Sequence, residues 1–207
     1  MRLYIFTILF IVLTAFQLRV QPIEQPLHLN APFYDTNTVW VDSVMQLLTP
    51  EQRMAQLFMV AAYSNQGEAH QQEIEKLISE HHIGGLMFLQ GGPVRQARLT
   101  NHYQDLAQVP LMIAQDAEWG LSMRIDSTIR FPWQMTLGAI QDEEWVYKMG
   151  LEIGRQCKRL GVHVNFAPVV DVNSNPDNPI INNRSFGEDP RGRGMLGLHV
   201  GHPTLIV

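Results

Sequence analysis

Two carboxylates and an arginine stand close together near the middle of the chain. Asp116 and Glu118 follow the apolar run 111–114, and Arg124 comes eight residues after Asp116. A short apolar run that ends in polar residues is typical of a strand buried on both faces. Because helices cover the faces of a parallel sheet, α/β proteins place their ligand-binding groups at the carboxyl ends of the strands. We therefore predict a binding site for a polar ligand here, with a solubilising acidic turn as the alternative.

A second polar cluster occupies residues 182–190 and contains Arg184. It follows loop 173–179, which is rich in Asn and Pro and is long for a connection between a strand and a helix. Long ordered loops commonly bind ligands. The planar guanidinium of Arg184 is suited to an oxygen-rich ligand. The alternative is that Arg184 only braces its own loop by pairing with Glu188 or Asp189.

Helix and strand signals alternate along the part of the chain that carries these clusters. Thr49 followed by Pro50 is a helix start, with a capping side chain and a proline at the first helical position. The patterns predict further helices over residues 68–82, 94–107 and 142–160, and strands over residues 57–62, 86–89, 111–114 and 162–172.

The strands read as continuous apolar runs, which is typical of a parallel sheet covered by helices on its outer side. A doubly wound open sheet and a (β/α)8 barrel both satisfy this pattern. The first strand is not followed by a glycine-rich phosphate-binding sequence, which disfavours a nucleotide-binding open sheet. Polar groups at successive strand ends favour the barrel. Because a barrel takes about 250 residues and this chain has 207, we predict an α/β fold in which about the first half of a parallel (β/α)8 TIM-type barrel is present.

Composition limits the partners. The formal net charge is −5, so nucleic acid and anionic membrane surfaces have no electrostatic reason to bind. Cys157 is the single cysteine, which rules out an intrachain disulfide and a cluster of thiolate metal ligands. We predict that Cys157 is a small buried apolar residue of a helix. We expect no cofactor and no metal, and the sequence leaves the oligomeric state open.

The N-terminus resembles an export signal. Met1-Arg2 gives a positive start, and residues 3–16 are almost wholly apolar, the length of a signal-peptide core and short for a membrane-spanning helix. We predict a signal peptide or an uncleaved anchor over residues 1–21, a linker over residues 22–39, and a folded domain from residue 40 onward. The protein is therefore expected to be periplasmic or extracellular, with membrane anchoring by the N-terminal segment as the alternative to cleavage.

Three motifs together carry a family resemblance: IAQDAEWGLSMR, NFAPVVDVN and NNRSFGEDP, in this order. They resemble the N-terminal barrel domain of family 3 glycoside hydrolases, and within it the bacterial β-N-acetylhexosaminidases of the NagZ type. The resemblance implies that Asp116 binds hydroxyls of the non-reducing-end sugar, that Arg124 assists, and that Arg184 contacts the same sugar. The family commonly has Glu-Gly-Gly where this chain has Glu118, Trp119 and a glycine. Trp119 could stack on a sugar face at that point.

The resemblance also implies a reaction, the retaining hydrolysis of terminal β-N-acetylglucosamine from cell-wall or chitin-type glycans. The family's Lys-His and Asp-His motifs and its aspartate nucleophile are expected beyond the end of the chain, so residues 40–207 represent an incomplete barrel domain. We assign no catalytic residue within it, His199 and His202 included, and expect the chain by itself to be inactive.

Three alternatives stay open. One is a β-glucosidase or β-xylosidase of the same family, and another is a carbohydrate-binding protein without catalysis. The third, a barrel enzyme acting on phosphate esters, needs a phosphate site near the last two strands of the barrel.

Overall fold

The computed structural model describes residues 37–189. The predicted signal peptide or anchor, residues 1–21, and nearly all of the predicted linker lie outside the described residues. Within residues 37–189 no helix is both long enough and apolar enough to cross a membrane.

Seven of the described elements make up the β/α framework, and two N-terminal helices, a short helix and two 3-10 turns complete the set. In chain order they are α1 (Val39–Leu47), α2 (Pro50–Ala55), β1 (Met59–Tyr63), α3 (Glu68–Ser79), β2 (Gly85–Gln90), α4 (Pro93–Leu106), β3 (Met112–Gln115), the 3-10 turn Leu121–Met123, α5 (Gln134–Leu137), α6 (Glu143–Arg159), β4 (Val164–Asn165) and the 3-10 turn Asn182–Arg184.

The four strands form one sheet in the order β1-β2-β3-β4, and every neighbouring pair is parallel. Leu86 of β2 pairs with Ile113 of β3, and Ala114 of β3 pairs with Val164 of β4. A doubly wound sheet reverses its strand order at a switch point, whereas a barrel adds each strand on the same side of the last. The sequential order is that of the barrel, and the prediction of the first half of a (β/α)8 fold is confirmed.

Local sequence explains the element boundaries. The side chain of Thr49 accepts a hydrogen bond from the backbone N–H of Gln52, and the side chain of Gln52 accepts one from the backbone N–H of Thr49. This reciprocal capping box starts α2 as predicted. The predicted helix 68–82 ends earlier, at Ser79, and His82 takes a left-handed conformation with φ 56° that an α-helix does not allow.

The prediction for the fourth strand is wrong in its length. Residues 162–172 were expected to be extended and paired, but β4 contains only Val164 and Asn165. The backbone N–H of Phe166 still donates to the carbonyl of Gln115 at 2.8 Å, and β3 ends at that residue. Beyond it the ladder has no partner, and Pro168 has no N–H to donate. The chain therefore leaves the sheet directly after the last pairing that β3 offers.

The core lies between the sheet and helices α3, α4 and α6. Its members are buried apolar residues on the strands and on the helix faces turned toward them, among them Ile74, Ile78, Phe88, Tyr103, Ile113 and Ile153. Cys157 of α6 belongs to the same cluster and is fully buried. The prediction for this residue is confirmed, and burial raises the pKa of the Cys157 thiol to about 11.

The buried thiol makes Cys157 a probe of core packing. Since the thiolate is the reactive form and the pKa is raised to about 11, we expect a disulfide reagent at pH 8 to label native protein at least about 100-fold more slowly than protein in concentrated urea. Absorbance of the released thiol measures both rates. Immediate stoichiometric labelling without urea would contradict the burial.

A second prediction concerns the close packing of α5 against the C-terminal loop. A Cβ at Gly138 would lie 1.8 Å from the backbone oxygen of Phe186. The added methyl group of Gly138→Ala must push the backbone segments at residues 138 and 186 apart, so we expect a loss of about 1–3 kcal/mol in the free energy of unfolding. Urea titration followed by tryptophan fluorescence measures this loss. Gly67→Ser is the control, because a Cβ at Gly67 has no atom within 4 Å and Ser is a favoured N-cap residue. Equal urea midpoints for the two variants would overturn the prediction.

Candidate functional site

The site begins where β3 ends. Asp116 directly follows β3, and Nη2 of Arg124 donates a hydrogen bond to its Oδ2. The side chains of Asp116 and Arg124 are 16% and 30% exposed, so a ligand can reach both. Within residues 37–189 the other oxygen, Oδ1 of Asp116, accepts no hydrogen bond. The structure brings Asp116 and Arg124 together and leaves one carboxylate oxygen available to an incoming hydroxyl; their sugar-binding role stays a prediction.

The loop after Asp116 is fixed by backbone contacts. The buried N–H of Ala117 donates to Oδ1 of Asn165, at the end of β4, at 3.0 Å. Gly120 has φ +84°, and a Cβ there would lie 2.6 Å from the ring of Phe131. A residue with a side chain is strained in that conformation and also meets that ring. The loop therefore turns sharply under Phe131, which carries residues 121–124 back toward Asp116.

Glu118 and Arg184 form a second ion pair, which joins this loop to the C-terminal one. Arg184 Nε lies 3.0 Å from both carboxylate oxygens of Glu118, and its Nη2 lies 2.7 Å from Oε1. Nε2 of Gln134, on α5, lies 3.5 Å from Oε2. Glu118 is 1% exposed and Arg184 is 33% exposed. Glu118 is thus inaccessible to a ligand, whereas part of the guanidinium faces outward.

The partner of Arg184 differs from the sequence-based alternative. That alternative paired Arg184 with Glu188 or Asp189, in its own loop, but the structure pairs it with Glu118, 66 residues earlier. The pKa of Arg184 is raised, first by its hydrogen bonds to Glu118 and then by the negative charges of Glu118, Asp116 and Asp171, against an opposing effect of burial. Asp116 and Glu118 lie two residues apart on the loop after β3, so both ion pairs belong to one site.

The residues that sequence reasoning missed are the ones that hold the site together. Glu118 was grouped with Asp116 as a ligand-facing carboxylate, although its burial gives it a different role. Asn165 and Gln134 were not assigned to the site at all. Their contacts cross 48 and 16 residues of sequence, and no local pattern predicts those contacts. Sequence signals existed for Glu118, which follows a strand two residues after Asp116, and for Asn165, which opens the motif NFAPVVDVN.

Trp119 contacts a second tryptophan that the sequence analysis did not single out. The ring centroids of Trp119 and Trp133 lie 4.1 Å apart with an interplanar angle of 46°. The guanidinium carbon of Arg130 lies 5.4 Å from the Trp133 ring. Both indole rings are half-buried, so each keeps some surface in solvent beside the Asp116 loop. Stacking of Trp119 on a sugar stays a prediction.

Metal-ligand geometry is not part of this site. Among the residues that the structure describes, no group of three or more His, Cys, Asp or Glu side chains is arranged to hold a metal ion. The charged groups of the site are instead two carboxylate–guanidinium pairs, an arrangement suited to hydrogen bonding with a neutral polyol.

Two curated relatives share much of the sequence. Beta-hexosaminidase A of Pseudoalteromonas piscicida is 41% identical over 139 residues, which cover 61% of this chain and 23% of that protein. A beta-N-acetylglucosaminidase/beta-glucosidase of Cellulomonas fimi is 30% identical over 169 residues, 81% of this chain and 29% of that protein. The chain therefore spans less than a third of the length of either relative.

A solved structure and a family model point to the same family as these relatives. A solved family 3 beta-N-acetylglucosaminidase from Paenibacillus sp. str. FPU-7 superposes with a TM-score of 0.66 at 32% identity, covering 75% of this chain and 31% of that one. Residues 49–200 match the family model described as the glycosyl hydrolase family 3 N terminal domain. The resemblance read from the three motifs is confirmed, and the chain belongs to the family of glycosyl hydrolase family 3 N-terminal domains.

Proposed function

We propose that this domain binds the terminal non-reducing β-linked N-acetylglucosamine of a glycan, as the sugar-recognising part of a retaining glycoside hydrolase. The observation that carries the proposal is the partly exposed Asp116–Arg124 pair at the carboxyl end of β3, two residues before the Glu118 that pairs with Arg184. Barrel enzymes bind substrate at the carboxyl face of the strands, which is the face where this pair lies.

Asp116 supplies the acceptor of this site. Its Oδ2 is held by Arg124, which fixes the plane of the carboxylate and directs Oδ1 toward the ligand. A hydroxyl that donates to an ionised carboxylate forms a charge-assisted bond of about 1.5–3 kcal/mol. A sugar ring presents adjacent hydroxyls, so donors beside this acceptor add specificity. Arg184 provides them, and the Trp119–Trp133 pair offers apolar ring surface for the C–H face of the sugar.

The reacting groups are assigned elsewhere in the full-length protein. Retaining hydrolysis takes a carboxylate nucleophile and a general acid/base on opposite sides of the glycosidic bond, about 5–5.5 Å apart. Asp116 is engaged by Arg124, and Glu118 is buried against Arg184. Neither carboxylate can reach an anomeric carbon without giving up its partner. We therefore give neither carboxylate a catalytic role, and of the two only Asp116 a sugar-binding role, as the family resemblance implies.

The names of the relatives support N-acetylglucosamine as the sugar. The Pseudoalteromonas relative is a beta-hexosaminidase, and the Paenibacillus structure is of a beta-N-acetylglucosaminidase. The name of the Cellulomonas relative includes beta-glucosidase, which makes a β-glucoside the second candidate. Export, as predicted from residues 1–21, gives such an enzyme access to cell-wall or chitin-type glycans.

Substrate choice is tested with 4-nitrophenyl glycosides of N-acetyl-β-glucosamine, β-glucose and β-xylose on the full-length protein. We expect the highest kcat/KM for the N-acetylglucosaminide. Preference for the glucoside or the xyloside would replace the proposed substrate by the second candidate class. Saturable binding of N-acetylglucosamine without turnover of any of the three would instead show a carbohydrate-binding protein.

The next prediction concerns Asp116, the hydrogen-bond acceptor of the proposed site. Asp116→Asn takes away the negative charge that strengthens the bond to a sugar hydroxyl, so we expect kcat/KM to fall about 10- to 100-fold, the equivalent of 1.5–3 kcal/mol. Asp126→Asn is the matched control in the same loop. Asp126 is exposed and pairs with Arg95 on α4, so its loss should leave kcat/KM within about twofold. A wild-type rate in Asp116→Asn would favour the acidic-turn interpretation.

The variant Arg184→Lys distinguishes a sugar-binding role of Arg184 from a role that is only structural. An ammonium cannot hold Glu118 through two nitrogens and also present donors to a ligand, so we expect kcat/KM to fall at least about tenfold. Arg155→Lys is the control, because Arg155 makes an equivalent two-nitrogen pair with Glu152 on the exposed side of α6. If Arg184→Lys and Arg155→Lys both retain full kcat/KM, Arg184 does not contact the sugar.

A further inference from the structure

The carboxylate of Glu118 is buried. Its side chain is 1% exposed, and burying an ionised carboxylate is strongly unfavourable unless it is paired and hydrogen-bonded. Arg184 satisfies both oxygens, and Nε2 of Gln134 lies at 3.5 Å on the far side. Glu118 sits two residues after Asp116, within the loop that forms the proposed sugar site. A carboxylate that is buried against a guanidinium at that place needs an explanation other than keeping the loop soluble.

The hydrogen bonds of Arg184 show which part of the guanidinium is occupied. A guanidinium carries five N–H donors. Nε and one N–H of Nη2 donate to Glu118, and one N–H of Nη1 donates to the carbonyl of Ile180 at 3.3 Å. Two N–H donors, one on each terminal nitrogen, therefore have no partner among residues 37–189. The free N–H of Nη2 points away from the Nε–Nη2 edge that Glu118 holds, because the two hydrogens of a guanidinium NH2 group lie on opposite sides of its C–N bond.

The backbone around Arg184 gives it little independent support. Arg184 ends a 3-10 turn of three residues, Asn182–Arg184, and Asn182 has φ +37°. The neighbouring Ser185 is tied to the backbone by its hydroxyl, which donates to the carbonyl of Asp171 at 2.7 Å. These contacts hold the main chain and do not reach the guanidinium. Besides the 3.3 Å bond from Nη1 to the carbonyl of Ile180, the direction of the side chain is set by its three shorter contacts with Glu118.

We propose that Glu118 is a positioning residue for Arg184. It holds the guanidinium by the Nε–Nη2 edge, so that the two remaining N–H donors form a fork for two adjacent oxygens of a vicinal diol on the sugar whose hydroxyl donates to Asp116. The inference rests on the proposed function and deepens it, since it assigns a residue that touches no ligand. A glutamine at position 118 has one oxygen and one NH2 group, and that NH2 meets the donors of Arg184 instead of accepting from them.

Kinetics of the full-length protein test the functional part. We expect Glu118→Gln to raise KM for the 4-nitrophenyl N-acetylglucosaminide at least fivefold and to lower kcat/KM at least tenfold. In an Arg184→Ala background the same change should alter kcat/KM less than twofold, because Glu118 acts through Arg184. Equal effects of Glu118→Gln in both backgrounds would overturn the proposal. Glu152→Gln, which disrupts the equivalent pair with Arg155 on α6, is the control and should leave KM unchanged.

A measurement that needs no turnover tests the positioning itself. In protein labelled with ¹⁵N-arginine, the Nε–H signal of Arg184, identified by its loss in Arg184→Lys, should exchange slowly with water. Glu118→Gln should speed that exchange at least tenfold, and Glu152→Gln should speed only the exchange of Arg155. Unchanged exchange at Arg184 in Glu118→Gln overturns the proposal even if activity falls. Faster exchange in a protein that neither binds nor hydrolyses the glucosaminide supports the positioning and refutes the proposed function.

Discussion

The parallel pairing of β3 between β2 and β4 is the constraint on which the rest of this structure depends. Parallel strands end at the same edge of a sheet, so the residues that follow them meet there. Asp116 follows β3, and Asn165 closes β4. The hydrogen bond from Ala117 to the side chain of Asn165 is possible only because the two strands are neighbours in register. The sheet thus fixes the backbone at the base of the site independently of the ligand-facing side chains.

At this edge of the sheet, two ion pairs that differ in burial have different roles. Asp116–Arg124 is partly exposed and keeps an acceptor for a ligand, whereas Glu118 of the second pair is closed to solvent. Removing Arg184 leaves the buried carboxylate of Glu118 without its ion-pair partner, which is destabilising. The Glu118–Arg184 pair therefore fixes the loop around Arg184 relative to β3. Rigidity of this kind suits the recognition of a sugar ring, whose hydroxyls differ from one sugar to another mainly in direction.

The sequence predicted the framework well because the framework is local. Apolar runs and the Thr49 capping box each act within a few residues, and the predicted framework elements lie within three residues of their expected ends. The exceptions have non-local causes. The strand expected over residues 162–172 is limited to Val164–Asn165, because its partner β3 ends at Gln115. The short helix α5 is stabilised by packing against the C-terminal loop, which no local pattern reveals.

For the site, the sequence by itself determined the family, through three motifs, and the identity of the charged residues at the strand ends. Only the tertiary structure decided which charge pairs with which. Asp116 and Glu118 look equivalent in sequence, two residues apart after one strand, yet the first faces solvent and the second is buried beneath Arg184. That difference arises from the direction in which the loop turns at Gly120 and from the approach of residues 182–184 across 66 residues of chain. Burial depends on what packs against a side chain, and the packing partners here come from distant parts of the sequence.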